Sequence, residues 1–467
     1  QMIIYDNNSW LSTVFTYTGS VWPNIRTPFA IWGAFVIFIF WTMEEKQIVL
    51  GNEGKTIFAT TMCFLLIFRA NGSYQRYWLG RTAVTAFFSD MRDFVALSMI
   101  YMQGGVSNIF WNEGRGGERL KRPPEDEADK QARKLRCDLA RLSLAYAVSL
   151  KMYTRIAAEG YCCGTISAQT KWTIDWDRLR LRQLLREDEF RCADDCIGIE
   201  DPKKRPSDSA KALVAEFKAF GSHAPGHWPD SFEVDMTPRV RMHVTIVMRM
   251  RELLMASMND FQNAVPWGFK ERFIPMLSGL LHGSQEDYEL ISQIITTPLP
   301  LPYACLCKTL LTIWMASFPF TEDYHLGYFG GMVIPVLIAL ALFGIDAIST
   351  ELENPFGDDD NDLDLLEAIH TLECEVMEFL SLCGDTKAQS AFVWRQMPTF
   401  IGGSSCKPVT RYLAFRDLAA EDFVVPEAGA RKSSARSGTS QSQGSDRSGS
   451  RRSASGSGSL MSASSLR

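Results

Sequence analysis

Four long apolar stretches, one pair near the start of the chain and one pair far downstream, constrain this sequence more than anything else in it. The first runs from Pro28 to Met43, and Trp22 and Ile25 extend it on the N-terminal side. The second runs from Lys55 to Phe68, the third from Tyr303 to Phe320 and the fourth from Gly327 to Ile345. Each approaches the roughly 20 residues that a helix needs to cross a bilayer. Lys308 interrupts the third but can extend its ammonium to the interface, and Pro335 predicts a kink in the fourth. Apolar content over the 467 residues is otherwise ordinary, so the apolar residues are concentrated in spans and the rest of the chain lies outside the membrane.

An even number of spans puts both termini on one side. The two short connections carry Glu44, Glu45, Glu53, Glu322 and Asp323 against Lys46 alone, whereas Arg26, Arg69, Arg76, Arg81 and Lys308 lie toward the opposite ends. By the positive-inside bias those connections face away from the cytoplasm. The termini and the long middle region then face the cytosol, or the stroma if the membrane is a plastid one; a thylakoid and a plasma membrane both fit. The first residue is Gln1 rather than methionine, so no targeting address is read from the N-terminus.

The expected fold is all-α: an N-terminal segment over 1–27, two spans within 28–81, a helical cytosolic region over 82–297, two more spans within 298–348, and an acidic cluster with a helical segment over 349–426. Apolar residues recur at helical spacing in Asp126 to Glu159, Asp177 to Phe190 and Arg239 to Phe261, with Pro- and Gly-rich breaks between them. Runs of alternating polarity are absent. Residues 427–467 collapse to Ser, Gly and Arg, the composition of a disordered tail that offers a site for a protein partner.

The chemistry of a reaction centre is missing from the sequence. It has neither a phosphate-binding Gly-rich loop nor a nucleophile elbow, and its six histidines are dispersed, so no catalytic residue is assigned and no enzyme is expected. A net charge of −6 argues against a nucleic-acid partner. Eleven cysteines, an odd number without a paired framework, read as reduced thiols.

Two places carry specific patterns. On the second span Thr60, Phe64 and Phe68 stand at i, i+4 and i+8, one stripe of a helix, and Arg69, Asn71, Tyr74, Arg76 and Arg81 follow at once. The stripe is either a lipid-facing surface with an interfacial anchor or the lining of a pore. After the fourth span, Glu351 to Asp364 gathers seven carboxylates (Glu351, Glu353, Asp358, Asp359, Asp360, Asp362 and Asp364). Such a group is stable when solvated, when it caps the helix expected over Leu363 to Leu382, or when it holds a hard cation. It is not an EF-hand, because Leu363 stands where that loop needs glycine.

Asn354-Pro355-Phe356-Gly357 with its acidic continuation resembles the signature of the bestrophin channels. So does Phe68-Arg69-Ala70-Asn71-Gly72-Ser73-Tyr74 running into Arg76-Tyr77-Trp78 and Arg81, and so does Thr297-Pro298-Leu299-Pro300 before Tyr303. The three occur in the family's order, and the phrasing is closer to its plant and bacterial branch than to its animal one. The resemblance implies a homopentamer in lipid around a central pore, with Thr60, Phe64 and Phe68 at the neck and Arg69, Arg76 and Arg81 in an anion vestibule. It implies chloride and bicarbonate as permeant ions. It also implies a calcium site on Asp359 and Asp362 with carbonyls of Glu351 and Asn354, and no organic cofactor. A cation-selective channel of the same build, or a membrane-anchored scaffold acting through its tail, are the other readings.

Overall fold

The computed structural model describes residues 16–17, 19–46, 55–102, 127–194, 231–233, 242–258, 267–321, 329–357, 361–382, 386–396 and 411–416. The connections over 47–54 and 322–328, Asp359 and the tail over 427–467 lie outside the described residues.

The described chain is mostly helical. Helix α1 spans Trp22–Lys46 and α2 Lys55–Tyr101; α3, Glu127–Cys163, leads into a short strand β1, Thr165–Ser167. Then come α4 (Ala168–Leu184), α5 (Glu187–Asp194), β2 (Ser231–Glu233), α6 (Met242–Ala256) and α7 (Ile274–Thr296). The last elements are α8 (Leu301–Ser317), α9 (Ile334–Glu353), α10 (Leu365–Leu382), α11 (Thr386–Ser390), β3 (Phe392–Gln396) and β4 (Arg411–Phe415). The four apolar stretches lie on α1, the first part of α2, α8 and α9, and each is long and apolar enough to cross a membrane.

Those four helices meet through a small core of Trp32, Val36, Met62, Leu66, Leu311, Trp314, Ala339 and Leu342, and the Trp32 indole donates to the Met315 carbonyl at 3.2 Å. Only 22–28% of each apolar window is buried. So much apolar surface left bare in water would cost roughly 25 cal/mol per Å², and a lipid phase or further protein must cover it. A second and larger core, built from α3, α4, α6, α7, α10 and the far half of α2, belongs to the helical body.

Helix α2 runs well past the expected membrane boundary. No proline occurs between Lys55 and Tyr101, so nothing stops it, and its 47 residues make a rod about 70 Å long at the standard rise. Beyond Ser73 its buried positions include Gly80, Ala83, Phe87, Met91, Phe94 and Ser98, a continuous helical stripe. Helix α7 lies along that stripe with Leu277, Leu281, Ser284, Tyr288, Ile291 and Ile295, in the most extensive helix pairing among the described residues. Neither the length of α2 nor the existence of α7 was expected from the periodicity.

Two further expectations are corrected, and a third is located. Asp177 to Phe190 is not one helix, because Leu185 takes an extended conformation and divides α4 from α5. Pro335 lies in the first turn of α9, directly after a π-turn over Phe329–Val333, so the helical irregularity at this proline falls at the start of the span. The fold is also not purely helical. β1 pairs antiparallel with β2, Ile166 opposite Phe232, and β3 pairs antiparallel with β4, Trp394 opposite Leu413. Four consecutive residues of β4, Tyr412 to Phe415, are buried, so it lacks the alternation that marks a half-exposed strand. The second ribbon is fastened to the body at Glu373. That buried carboxylate pairs with Arg180 at 2.6 Å and accepts the Leu413 amide at 3.1 Å.

Candidate functional site

The two sides of α2 in the membrane differ. Met62, Leu66, Arg69 and Ser73 are buried against α8 and α9. The Thr60, Phe64 and Phe68 stripe is turned away from the protomer, and Phe64 and Phe68 are 66% and 60% exposed. The two phenyl rings stack with centroids 6.3 Å apart and an interplanar angle of 23°. Thr60 donates its hydroxyl to the Thr56 carbonyl at 2.8 Å, so its polar atom is spent on the helix itself. The stripe is therefore two phenyl rings with one hydroxyl whose donor is internally used.

Tyr303, at the start of α8, fixes the lower ring. Its phenol donates to the Leu65 carbonyl at 3.2 Å, and its ring meets Phe68 edge to face, 6.4 Å between centroids and 82° between planes. In the sequence Tyr303 opens the third apolar stretch after a Pro-rich entry, and its spacing carries no signal of the contact with Phe68. Pro300 is the extended N-cap of α8 and Pro302 lies in its first turn, so the extended entry expected through Pro302 ends at Pro300; the first turn delivers the Tyr303 ring to Phe68.

The three arginines assigned to a vestibule separate in the structure. Arg69 is buried, is paired with Asp346 on α9, lies 3.7 Å from the Glu353 carboxylate and donates to the Thr350 hydroxyl at 3.2 Å. Its charge is matched within the protomer, as a cation in a span requires. Arg76 donates to the carbonyls of Ile294 at 2.6 Å, Thr297 at 2.5 Å and Glu353 at 3.3 Å. Those are the C-terminal ends of α7 and α9, where open carbonyls and the helix dipoles attract a cation. Arg81 is exposed and donates to the Tyr77 side chain. Arg69 and Arg76 thus tie α2 to α9 and α7, and Arg81 alone of the three presents its charge outward.

The stretch after α9 is a packed loop. Phe356 is buried, and a β-carbon at Gly80 of α2 would stand 3.2 Å from both its ring and the Pro355 ring. Gly80 is the seat of the Asn-Pro-Phe-Gly turn. Replacing it with alanine is expected to displace Phe356 and to cost about 1–3 kcal/mol, the usual range for overpacking a filled core. A lowered Tm of the purified protein checks this, whereas an unchanged Tm with normal assembly speaks against the seat.

The loop closes on itself through the Leu363 amide, which donates to the Pro355 carbonyl at 3.0 Å. The Asn361 side-chain amide donates to the Glu351 carboxylate at 2.6 Å and to the Gly19 carbonyl at 2.9 Å, which brings the N-terminal segment to the loop. Tyr77 donates to the Asn361 carbonyl at 3.3 Å. Asp364 accepts the Glu367 amide at 3.0 Å and caps α10, so the helix-cap reading holds for that carboxylate. Asp362 is buried beneath this loop, and the Glu351 carboxylate accepts the Asn361 amide. Asp359 lies outside the described residues, and among those described no group of three or more His, Cys, Asp or Glu side chains is placed to hold a metal.

Comparison with known proteins agrees with this architecture. The family described as Bacterial/Fungal Bestrophin protein matches over residues 2–189 and 232–378. The sequence is 22% identical to the voltage-dependent anion channel-forming protein sll1024 of Synechocystis sp., over 80% of this chain and 92% of that protein. It is 35% identical over 109 residues to the voltage-dependent anion channel-forming protein alr2987 of Nostoc sp., a match spanning 23% of this chain and 35% of that relative. A bacterial bestrophin homologue from Klebsiella pneumoniae, crystallised as a point variant, superposes with a TM-score of 0.51 at 14% identity, over 77% of this chain and 99% of that one. At that identity the likeness concerns the fold.

Proposed function

The chain belongs to the bacterial and fungal bestrophin family and is an integral membrane protein; from that premise we propose that it is an anion channel, a homopentamer conducting chloride and bicarbonate through a neck of Thr60, Phe64 and Phe68. The observation that carries the reading is the pair of stacked, two-thirds exposed phenyl rings opposite a fully packed face of the same helix. Around a five-fold axis those positions form successive rings of aromatic side chains. A phenyl edge is the positive part of the ring quadrupole, so rings presented edge-on favour an anion, and their apolar walls supply a gate by dewetting. The named relatives are anion channel-forming proteins, which supports the anion over a cation as the permeant ion.

Arg81, exposed beside Tyr77, would add positive potential at this end of the pore. In the calcium site that the resemblance implies, Asp362 and Asp359 would supply carboxylates and Glu351 and Asn354 backbone carbonyls.

The test is current through the purified protein in planar bilayers under a chloride gradient, with calcium stepped from chelated to micromolar. Reversal near the chloride equilibrium potential supports the channel, and current lost on chelation supports the clasp. Reversal near the cation potential overturns the selectivity. Silence under every condition overturns the channel in favour of a scaffold.

A further inference from the structure

The α2–α7 seam, far from the neck, contains an acidic group that the channel reading does not use. Asp90 and Asp93 stand on α2, and Glu286 and Asp287 on α7. Asp90 lies 22 residues beyond Phe68, about 33 Å along the rod, well outside the membrane. Its carboxylate rests on Gly283, where any β-carbon would collide with it. Gly283 and Asp287 are one turn apart on the same face of α7, so Asp90 reaches the level of Asp287 because Gly283 has no side chain.

Burial raises the Asp287 carboxyl first, and the charges of Asp90 and Glu286 raise it further, to about 6. Burial and then Asp93 raise Asp90. The basic groups nearby are otherwise engaged. On α7 itself His282 bridges Glu286 at 3.3 Å. From α6, Arg251 donates to Gln285 at 2.8 Å and His243 faces Glu289 at 3.5 Å. From α3, the Tyr146 phenol, held neutral by burial, donates to the Ser284 carbonyl at 3.3 Å. Arg92 of α2 pairs with Glu375 of α10 at 2.7 Å.

Both helices of this seam end at the neck. α2 carries Phe64 and Phe68, and α7 runs through the Arg76 clamp into the Pro-rich turn that presents Tyr303 to Phe68. We propose that Asp90 and Asp287 form a proton-operated spacer between α2 and α7. With one carboxyl protonated the helices stay closed at this level; with both ionised they repel, and the change in spacing reaches the Phe68–Tyr303 contact. The link to current rests on the channel reading, whereas the spacer itself does not.

The sign follows from linkage. The folded Asp287 binds its proton more tightly than the unfolded chain, so its stabilising effect is fully present below the unfolded value of 3.8 and is lost as pH rises through about 6. Two readouts separate the claims, both on the full chain: Tm in detergent between about pH 4 and about pH 8, and bilayer current across about pH 6. Wild type is expected to lose Tm as pH rises through about 6, and Asp287→Asn to raise Tm at the alkaline end and flatten that step. Current is expected to change by about twofold or more across the step in wild type and to lose that component in Asp287→Asn and Asp90→Asn. Gly283→Ala, which drives Asp90 off its seat, is expected to weaken the step as well.

A wild-type Tm step that Asp287→Asn leaves in place overturns the spacer. A Tm step removed by the variant, with current flat in both, overturns the coupling to the neck. Absence of current at every pH overturns the channel reading and the coupling with it, while the Tm comparison still decides the spacer.

Discussion

Replacing Phe64 and Phe68 together with alanine is expected to raise the resting current about tenfold and to weaken its gating, without lowering Tm by more than about 1 kcal/mol equivalent. The physical basis is their exposure. Both rings stand outside the packed face of α2, so their removal leaves no cavity in the core of Trp32, Met62, Leu66 and Trp314. In an assembled ring the same truncation replaces two apolar constrictions by a wider wetted passage. A barrier lower by about 1.4 kcal/mol is already tenfold in rate. Single-channel recording on the double variant measures it, with Thr60→Ala as the comparison. The Thr60 hydroxyl is bonded back to Thr56, so its loss is expected to change conductance little. A double variant with wild-type conductance and gating would return the stripe to a lipid-facing surface.

Arg69→Ala is expected to have the largest effect on stability, about 3–5 kcal/mol, as breaking a buried ion pair from one side does. The substitution strands Asp346 beside Glu353 and Thr350 between two spans, with its cation gone. Two carboxylates left there must take up protons or open the α2–α9 contact. Removing the partner as well, in Arg69→Met with Asp346→Leu, is expected to recover much of the loss, because an apolar pair of similar volume has no charge to desolvate. The comparison separates the two roles Arg69 has been given. If it acted as a vestibule charge, the single variant would assemble with normal Tm and pass less anion, and the double variant would not restore the current. Size-exclusion profiles and Tm of the single and double variants, read beside current, decide between them.

The motif residues gain meaning from this arrangement. Phe356 of the Asn-Pro-Phe-Gly turn is a plug for the notch at Gly80, and Asn361 staples the loop to Glu351 and to Gly19. Asp364 caps the following helix. A run that reads in one dimension as an excess of negative charge thus divides its four described carboxylates among a cap (Asp364), a staple (Glu351), a partner of Arg69 and of the Leu299 amide (Glu353) and a buried group (Asp362).

The sequence by itself determined the four spans, since a bilayer-length run of apolar residues has few other stable states in water or lipid. It also determined the Thr60, Phe64, Phe68 stripe, because helical spacing is a local property; for the acidic run it left a helix cap, a solvated group and a cation site open, and the structure gives the cap to Asp364. The partners of Arg69 and Arg76 were decided by tertiary structure alone: Asp346 and Glu353 lie hundreds of positions away, and a basic flank looks the same whether its charges face solvent or a helix end. The reach of α2 to Tyr101 and the place of α7 were likewise decided by packing, where Gly80 and Gly283 admit Phe356 and Asp90. β4 escaped notice because a strand buried on both faces loses the alternation by which strands are read. Periodicity shows which face of an element is apolar; only the packed fold shows what that face meets.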